Sequence, residues 1–255
     1  MNAIIYIFIF LLGICIGSFL NVVILRLPKK KKFANLKQRS KCPKCKRTLH
    51  FLDLIPLFSF LFLKGRCRYC HKKISWQYPL VEFLTGLFFV LIFWQNGFSW
   101  QTLIGFIGTG FLLALAFIDG KFQIVPDSVS ISGIIVIFLF QLLTDIKSWQ
   151  SILLGMVLGA GWFFAQWILS KGKWVGSGDI RIGALLGAFL GFWGTILALF
   201  GSYFFGSVWA IYLLIRGKVR LKSRIPFGVF LGIFGILAFI FGPEVVSWYR
   251  AIIGL

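Results

Sequence analysis

Long apolar runs, separated by shorter polar segments, fill most of this chain. Eight runs lie near the length of about 20 residues that a helix needs to cross the hydrocarbon core of a bilayer. They are Ala3–Leu27, Tyr78–Trp94, Gln101–Ile118, Ser128–Thr144, Ser151–Leu169, Ile182–Phe200, Ser202–Ile215 and Pro226–Val246. The runs are continuously apolar, whereas the strands of a membrane barrel alternate apolar and polar residues. The pattern therefore predicts an all-α polytopic membrane protein with about eight transmembrane helices. Because only the region of Gly201 separates the sixth and seventh runs, a total of seven or nine spans is also possible.

The composition supports the membrane interpretation. Hydrophobic residues make up 59% of the 255 residues and charged residues only 13%, which is too little charge to cover a soluble domain. The first run lacks the basic start and the small-residue cleavage site of a signal peptide, so we expect it to be a retained span. Any chemistry would take place in the membrane or against it.

The basic residues predict the orientation of the chain. The formal net charge is +20, and the basic residues cluster between the apolar runs. Residues 28–75 hold fifteen Lys or Arg and residues 216–224 hold five, so both loops are expected on the cytoplasmic side, near anionic membrane lipids. With eight spans, the loops 119–127 and 170–181 then face the cytoplasm as well. The charges do not follow a recognition helix, and nucleic acid is not an expected partner.

The basic loop after the first span contains two Cys-x-x-Cys motifs about twenty residues apart. Their cysteines are Cys42, Cys45, Cys67 and Cys70. This spacing is typical of a zinc ribbon, in which two short turns together offer four sulfur ligands to one ion. Two disulfides or four free thiols are the alternatives, but a reducing cytoplasm favours metal binding. Four cysteines leave no open coordination position, so the predicted zinc site is structural.

Two aspartates at the predicted cytoplasmic boundary are the candidate catalytic residues. Asp119 ends the third span, and Asp179 opens the sixth span after Gly176-Ser177-Gly178. Two carboxyl groups in one poorly solvated site cannot easily both ionise, so they share a proton. One of them can then act as a base on water while the other polarises the carbonyl of the scissile bond. Asp119 and Asp179 therefore predict a membrane aspartic endopeptidase.

Helix capping is the competing explanation for each acidic residue. It suits Asp127, which precedes the fourth span, better than catalysis does, because Asp is a favoured N-cap. It explains Asp119 poorly, since the dipole at a helix C-terminus disfavours a carboxylate. For Asp179 it does not account for the surrounding glycines. Glu82, near the start of the second span, could pair with cations of the basic loop or have a function of its own.

These motifs, taken together, resemble the bacterial prepilin peptidases, also called type IV leader peptidases. The resemblance covers nearly the whole chain. Its motifs are Gly17-Ser18-Phe19-Leu20-Asn21-Val22-Val23-Ile24 with Arg26-Leu27-Pro28, the two cysteine motifs, Ile74-Ser75 with Tyr78-Pro79-Leu80-Val81-Glu82, Asp119 with Pro126-Asp127, Gly176-x-Gly178-Asp179, and Ile225-Pro226-Phe227-Gly228. Arg181 stands where the family more usually has lysine.

The resemblance implies an activity, a location and partners. Such an enzyme cleaves short basic leaders from type IV prepilin or pseudopilin precursors at the cytoplasmic face of the bacterial inner membrane, with Asp119 and Asp179 as its catalytic pair. It also implies N-methylation of the new terminus with S-adenosylmethionine as methyl donor. The chain would then divide into a first transmembrane span (1–27), a cytoplasmic zinc-binding insert (28–77) and a transmembrane peptidase domain (78–255).

Three other classes of protein can be compared with the same motifs. A presenilin-like or signal-peptide peptidase shares the Gly-x-Gly-Asp motif, but it would carry a late Pro-Ala-Leu motif and lack the cysteine insert. A membrane metalloprotease of the His-Glu-x-x-His type is excluded, because the chain has only two isolated histidines. The non-enzymatic alternative is a transporter or an assembly scaffold with a zinc-stabilised loop, whose aspartates would serve ion coupling.

Overall fold

The computed structural model describes residues 3–30, 39–218, 220, 223 and 225–253. Its helices are α1 (Ala3–Lys30), α2 (Phe58–Phe62), α3 (Gln77–Asn96), α4 (Trp100–Phe122), α5 (Asp127–Thr144), α6 (Trp149–Leu169), α7 (Ser177–Ile215) and α8 (Phe227–Ile253), with a short 3-10 helix at Phe51–Leu54. In the described residues, β-structure is limited to two isolated bridges. The predicted all-α fold is therefore confirmed.

Seven of the described helices, all except α2, are long and apolar enough to cross a membrane. The described chain forms two compact units, Met1–Phe98 and Ser99–Leu255. The division predicted from the sequence at residues 27 and 77 stays a prediction.

In the first unit, α1 and α3 are antiparallel and pack closely through small residues. A Cβ on Gly13 would lie 2.6 Å from the Cα of Gly86, and a Cβ on Gly17 would lie 2.7 Å from the Cα of Glu82. Near the ends of the two helices that flank the insert, the side-chain amide of Asn21 donates to the carbonyl of Tyr78 over 3.1 Å. This pairing brings the two ends of the insert to the same end of the helix pair.

In the second unit, α4 and α8 are antiparallel. Glycines of α8 again allow the contact: a Cβ on Gly232 would lie 2.8 Å from the Cβ of Ala116, and one on Gly235 would lie 3.0 Å from Leu112 Cδ1. The same register places Gly228, in the first turn of α8, against Asp119 near the end of α4. The C-terminal end of α4 and the N-terminal end of α8 therefore meet at one end of this unit.

The long helix α7 is two antiparallel arms joined at Gly191. This glycine has φ +69° and ψ −170°, which is not helical. Phe163 of α6 contacts Gly183 and also stacks on Tyr203, with ring centroids 6.3 Å apart. In a straight helix, residues twenty positions apart would be separated by about 30 Å. The chain must therefore reverse between them, and the arms are residues 177–190 and 192–215.

The reversal gives the second unit one more apolar helical segment than its helix count shows. Counted by arms, the described chain has eight such segments, the number predicted from the sequence. The predicted boundary between the sixth and seventh spans is wrong, however, because Gly201 lies inside the second arm and packs on Phe234. Gly191 makes the turn because glycine adopts a positive φ without a steric penalty.

The first arm of α7 is fixed on two sides. Towards α6, a Cβ on Gly183 or Gly187 would collide with the backbone of Gly159 or Gly155, so the glycine stripe of this arm lies against another glycine stripe. Towards α5, the buried side-chain amide of Gln141 donates to the carbonyls of Ala188 and Phe189. The helical partners of those two carbonyls would lie beyond the break, so Gln141 caps the arm in their place.

Candidate active site and metal centre

Asp119 lies three residues before the end of α4, with its side chain in the interior of the second unit. Only 8% of the residue is exposed. Its Oδ2 accepts a hydrogen bond of 2.8 Å from the backbone amide of Gly228, which satisfies one donor of the first turn of α8. The predicted position at the end of the third span is confirmed. That a second helix meets this carboxyl was not predicted.

Asp179 is the third residue of α7 and is half-buried. Its Oδ2 accepts a hydrogen bond of 3.1 Å from the backbone amide of Gly176, the N-cap residue of the same helix. The carboxyl therefore satisfies a free donor at the start of the helix, while the N-cap itself is a glycine. Asp179 is thus not the N-cap residue, but one of its two carboxyl oxygens accepts from the amide of the N-cap.

The two aspartates lie near one another at the same end of the second unit. Both lie beside the first turn of α8. Ile182, less than one turn after Asp179, reaches the same glycine that donates to Asp119: a Cβ on Gly228 would lie 3.0 Å from Ile182 Cδ1 and 2.8 Å from Asp119 Oδ2. The structure thus brings together the two carboxyls that the sequence singled out. Their catalytic role stays a prediction.

Asp127 does not cap α5. The N-cap residue is Pro126, and Asp127 follows it as the first residue of the helix. Its side chain is 69% exposed and forms an ion pair with Nη1 of Arg181, the fifth residue of α7. The capping interpretation of Asp127 is therefore wrong. The sequence missed this pair because the two residues are far apart along the chain and neither lies in a local motif with the other.

Glu82 lies in the first unit and has a local structural contact. It is buried, and its Oε2 accepts a hydrogen bond of 2.8 Å from the backbone amide of Leu57 in the insert. Leu57 has a φ of +60°, an unusual conformation for a residue with a branched side chain. The carboxyl thus binds the backbone of the insert, whereas the sequence suggested that it could pair with the basic side chains of the insert.

The four cysteines of the insert converge on one point. Their sulfur atoms all lie within 4.8 Å of one another, and those of Cys42 and Cys70 are 3.9 Å apart. A tetrahedron with Zn–S bonds of about 2.3 Å has sulfur atoms about 3.8 Å apart, so the cluster fits such an ion closely. All four cysteines are free thiols. The disulfide alternative is therefore wrong, and the insert carries a site that could hold a metal ion.

The thiols of this cluster influence one another. Burial raises the pKa of Cys42, but hydrogen bonds from the amides of Cys45 and Lys44 outweigh it and bring the pKa to about 7. The Lys72 amide lowers the pKa of Cys70, but burial and the neighbouring sulfur atoms raise it to about 11. A bound cation would offset this mutual repulsion, since metals bind the deprotonated thiolates.

A cavity of about 300 Å³ lies at the other end of the second unit, beside the reversal of α7. Its lining includes Lys147, Ser151, Leu190 and Trp193. Burial lowers the pKa of Lys147. The lengths of α4, α8 and the first arm of α7 separate this cavity from the aspartates. The cavity therefore takes no part in the candidate site.

The fold and these two sites define a multi-pass helical membrane protein with a carboxyl pair at one end of its second unit and a four-thiol cluster in its first. Residues 11–96 match the Bacterial Peptidase A24 N-terminal domain, and residues 106–211 match the Type IV leader peptidase family. The chain belongs to the type IV leader peptidase family, as its motifs predicted.

Curated relatives match along almost the whole chain. The prepilin leader peptidase/N-methyltransferase of Neisseria gonorrhoeae is 36% identical over 267 aligned positions, which cover 93% of this chain and 92% of the relative. The proteins of the same name from Aeromonas hydrophila and Bacillus subtilis are 34% and 30% identical, and they cover 94% of this chain in each case. The alignments include 92% and 96% of those two relatives. No solved structure matches the chain.

Proposed function

We propose that this chain is a membrane aspartic endopeptidase that removes the leader peptide from type IV prepilin-like or pseudopilin precursors. The observation that carries the proposal is that Asp119 and Asp179 lie at the same end of the second unit, beside the first turn of α8 and within the region that matches the peptidase family. The relatives named above are leader peptidases by name. The transporter and scaffold alternatives are not favoured, because neither would place the chain in this family.

The proposed reaction needs one proton shared by the two carboxyls. One carboxylate removes a proton from a water molecule, whose oxygen attacks the carbonyl carbon of the scissile bond. The other carboxyl, which is protonated, donates a hydrogen bond to the carbonyl oxygen. When the C–N bond breaks, the amine of the leaving segment takes up the proton that the first carboxyl removed from water, and the pair again holds one proton. Each aspartate keeps one oxygen bound to a backbone amide, that of Gly228 or of Gly176, which restricts its rotation.

We propose the cytoplasmic face of the inner membrane as the side on which cleavage takes place. Three loops of the second unit, near Gly120, Gly172 and Gly217, lie at the same end as the aspartates, and the loop 216–224 carries five basic residues. Basic loops remain on the cytoplasmic side of bacterial membranes. A precursor with a basic leader followed by an apolar helix would present the junction between them at this depth.

We propose that the four cysteines bind one Zn²⁺. The ion would be held by Cys42, Cys45, Cys67 and Cys70 and would cross-link the two turns of the insert. With four thiolates bound, no position is left for water, so its contribution is to folding.

We also propose that the chain methylates the new N-terminus with S-adenosylmethionine as donor. This part of the proposal is supported by the names of the relatives, which are N-methyltransferases as well as peptidases. The proposal does not include binding residues for the methyl donor among the described residues.

The experiment is mass spectrometry of a synthetic prepilin incubated with the purified full chain, with and without S-adenosylmethionine. The peptidase proposal expects loss of the leader at its junction with the apolar helix in both samples. The methylation proposal expects one added methyl group on the new terminus only with the donor. An intact precursor, with the chain folded and zinc bound, would refute the proposed peptidase.

A further inference from the structure

The first turn of α8 supplies a group that contacts the candidate catalytic pair directly. The backbone N–H of Gly228 is among the first donors of the helix, which have no partner within the helix itself. It donates to Oδ2 of Asp119 over 2.8 Å, in a buried position and across 109 residues of sequence. The positive end of the α8 dipole is at the same place and attracts a carboxylate.

The residue at this position has almost no space for a side chain. A Cβ on Gly228 would lie 2.8 Å from Asp119 Oδ2, 3.1 Å from Asp119 Cβ and 3.0 Å from Ile182 Cδ1. Real Cβ atoms do not approach other atoms at the shortest of these distances, so α8 or the carboxyl would have to move. Glycine is what allows the amide to reach the carboxyl.

An aromatic cluster holds the start of α8 in place. Phe227, immediately before the donor, lies 4.9 Å from the ring of Tyr203 and 6.1 Å from the ring of Phe163 between centroids. The Tyr203 hydroxyl is in turn hydrogen-bonded to Gln166. The second arm of α7 and the end of α6 therefore both fix the residue that precedes Gly228.

We propose that the backbone N–H of Gly228 is a positioning group for Asp119. It holds Oδ2 of the carboxyl and leaves Oδ1 as the oxygen that takes part in activating water with Asp179. The inference rests on the proposed peptidase function, and it assigns a role to the Ile225-Pro226-Phe227-Gly228 segment. A rotated or displaced Asp119 would still allow the precursor to bind, but the pair could no longer share its proton correctly.

The test compares Gly228→Ala with Gly232→Ala in the purified full chain. Gly232 lies one turn further along α8 and faces the same helix, where its Cβ would lie 2.8 Å from Ala116 Cβ and 2.9 Å from the Leu112 carbonyl. The two substitutions thus disturb α4–α8 packing to a similar degree, and only the first reaches a carboxyl. Cleavage of a synthetic prepilin gives kcat and KM, and thermal unfolding in detergent gives stability.

For Gly228→Ala we expect kcat to fall by about 100-fold with KM changed by less than about threefold, as for a misplaced catalytic group. For Gly232→Ala we expect kcat to fall by less than about fivefold at a similar loss of thermal stability. Equal losses of kcat in the two variants would overturn the proposal, because they would reflect packing alone. So would a normal kcat in Gly228→Ala.

A second measurement decides the question if Gly228→Ala does not fold, and it does not depend on cleavage. Hydrogen exchange of a peptide that covers residues 225–231 is compared in wild type, Asp119→Asn and Asp119→Ala. Asparagine still has an oxygen that accepts from the amide and alanine does not, so we expect faster exchange of one amide only in Asp119→Ala. Equal exchange in all three proteins would show that the hydrogen bond is absent. If the three proteins show this exchange pattern but the wild type does not cleave, the proposed peptidase is refuted and the hydrogen bond is still supported.

Discussion

The carboxylate of Asp127 pairs with the guanidinium of Arg181 and so joins the first turn of α5 to the N-terminal part of α7. Arg181 follows Asp179 by two residues, so the ion pair lies in the same helical turn as one of the candidate catalytic residues. Asp127 is largely exposed, whereas Asp119 is buried. The three aspartates at this end of the unit therefore have different environments, and they should respond differently to substitution.

Asp127→Asn should keep most of the cleavage activity. The substitution removes one partner of an exposed ion pair, and such pairs contribute about 0–1 kcal/mol to stability. We expect kcat/KM for a synthetic prepilin to fall by less than about threefold, with a similar result for Arg181→Gln. If Asp127→Asn is as inactive as a variant of the buried pair, Asp127 belongs to the catalytic machinery and the assignment is wrong.

Asp119→Asn and Asp179→Asn should each lower cleavage by about 1000-fold or more, because asparagine can neither accept a proton from water nor hold the shared one. Both variants should fold, since an amide oxygen can still accept from Gly228 or Gly176. The measurement is cleavage at matched amounts of protein, with zinc content and thermal unfolding as controls. Normal cleavage by either variant would remove that residue from the pair.

Metal analysis of the purified chain should find about one zinc ion for each chain. Cys67→Ser should lower the zinc content and the thermal stability, because the ion holds the two turns of the insert together. Cys15→Ser is the matched control, as Cys15 lies in α1, outside the cluster. Active protein that contains no metal would contradict the zinc proposal without affecting the aspartates.

The number and the approximate limits of the helices could be predicted from the sequence, because a bilayer imposes a length and an apolar composition on each span. The reversal of α7 could not. Residues 182–215 are apolar almost throughout, and they contain several glycines that could each have been the turn. What selects Gly191 is its packing: its neighbour Phe192 donates its amide to the hydroxyl of Ser151, and Gln141 caps the arm that precedes it.

The site was predictable where its chemistry is local. The two Cys-x-x-Cys motifs and the Gly-x-Gly-Asp segment are each contained in a short stretch of chain, so they can be recognised in the sequence. The hydrogen bond between Gly228 and Asp119 and the ion pair between Asp127 and Arg181 depend on how helices meet, and no local pattern encodes that. The resemblance to the family identified the segment that contains Gly228, but it did not identify Asp119 as the hydrogen-bond partner of Gly228.

The reversal of α7 predicts the membrane side of three positions. Trp174 and Arg216 flank α7 at the end of the unit that holds the aspartates, and Trp193 lies just after the turn at the opposite end. In intact spheroplasts, an impermeant maleimide should label Trp193→Cys and should not label Trp174→Cys or Arg216→Cys. Permeabilised cells should allow labelling of the last two. Labelling of Arg216→Cys from outside would mean that α7 crosses once and that the reversal is wrong.

The last prediction concerns Gln141, a fully buried amide in the middle of apolar surroundings. Its Nε2 donates to the carbonyls of Ala188 and Phe189, and its Oε1 has no hydrogen-bond partner in the described part of the chain. Gln141→Leu keeps a similar volume but leaves the two carbonyls without a donor, at a cost of about 1–3 kcal/mol, so the thermal transition should move to lower temperature. Gln141→Glu should be worse, because a carboxylate would face two carbonyl oxygens in a medium that solvates it poorly. Leu143→Ala, on an exposed position of the same helix, should change little. If Gln141→Leu is as stable as wild type, Gln141 does not cap the arm, and another contact must hold the end of the first arm beside Gly191.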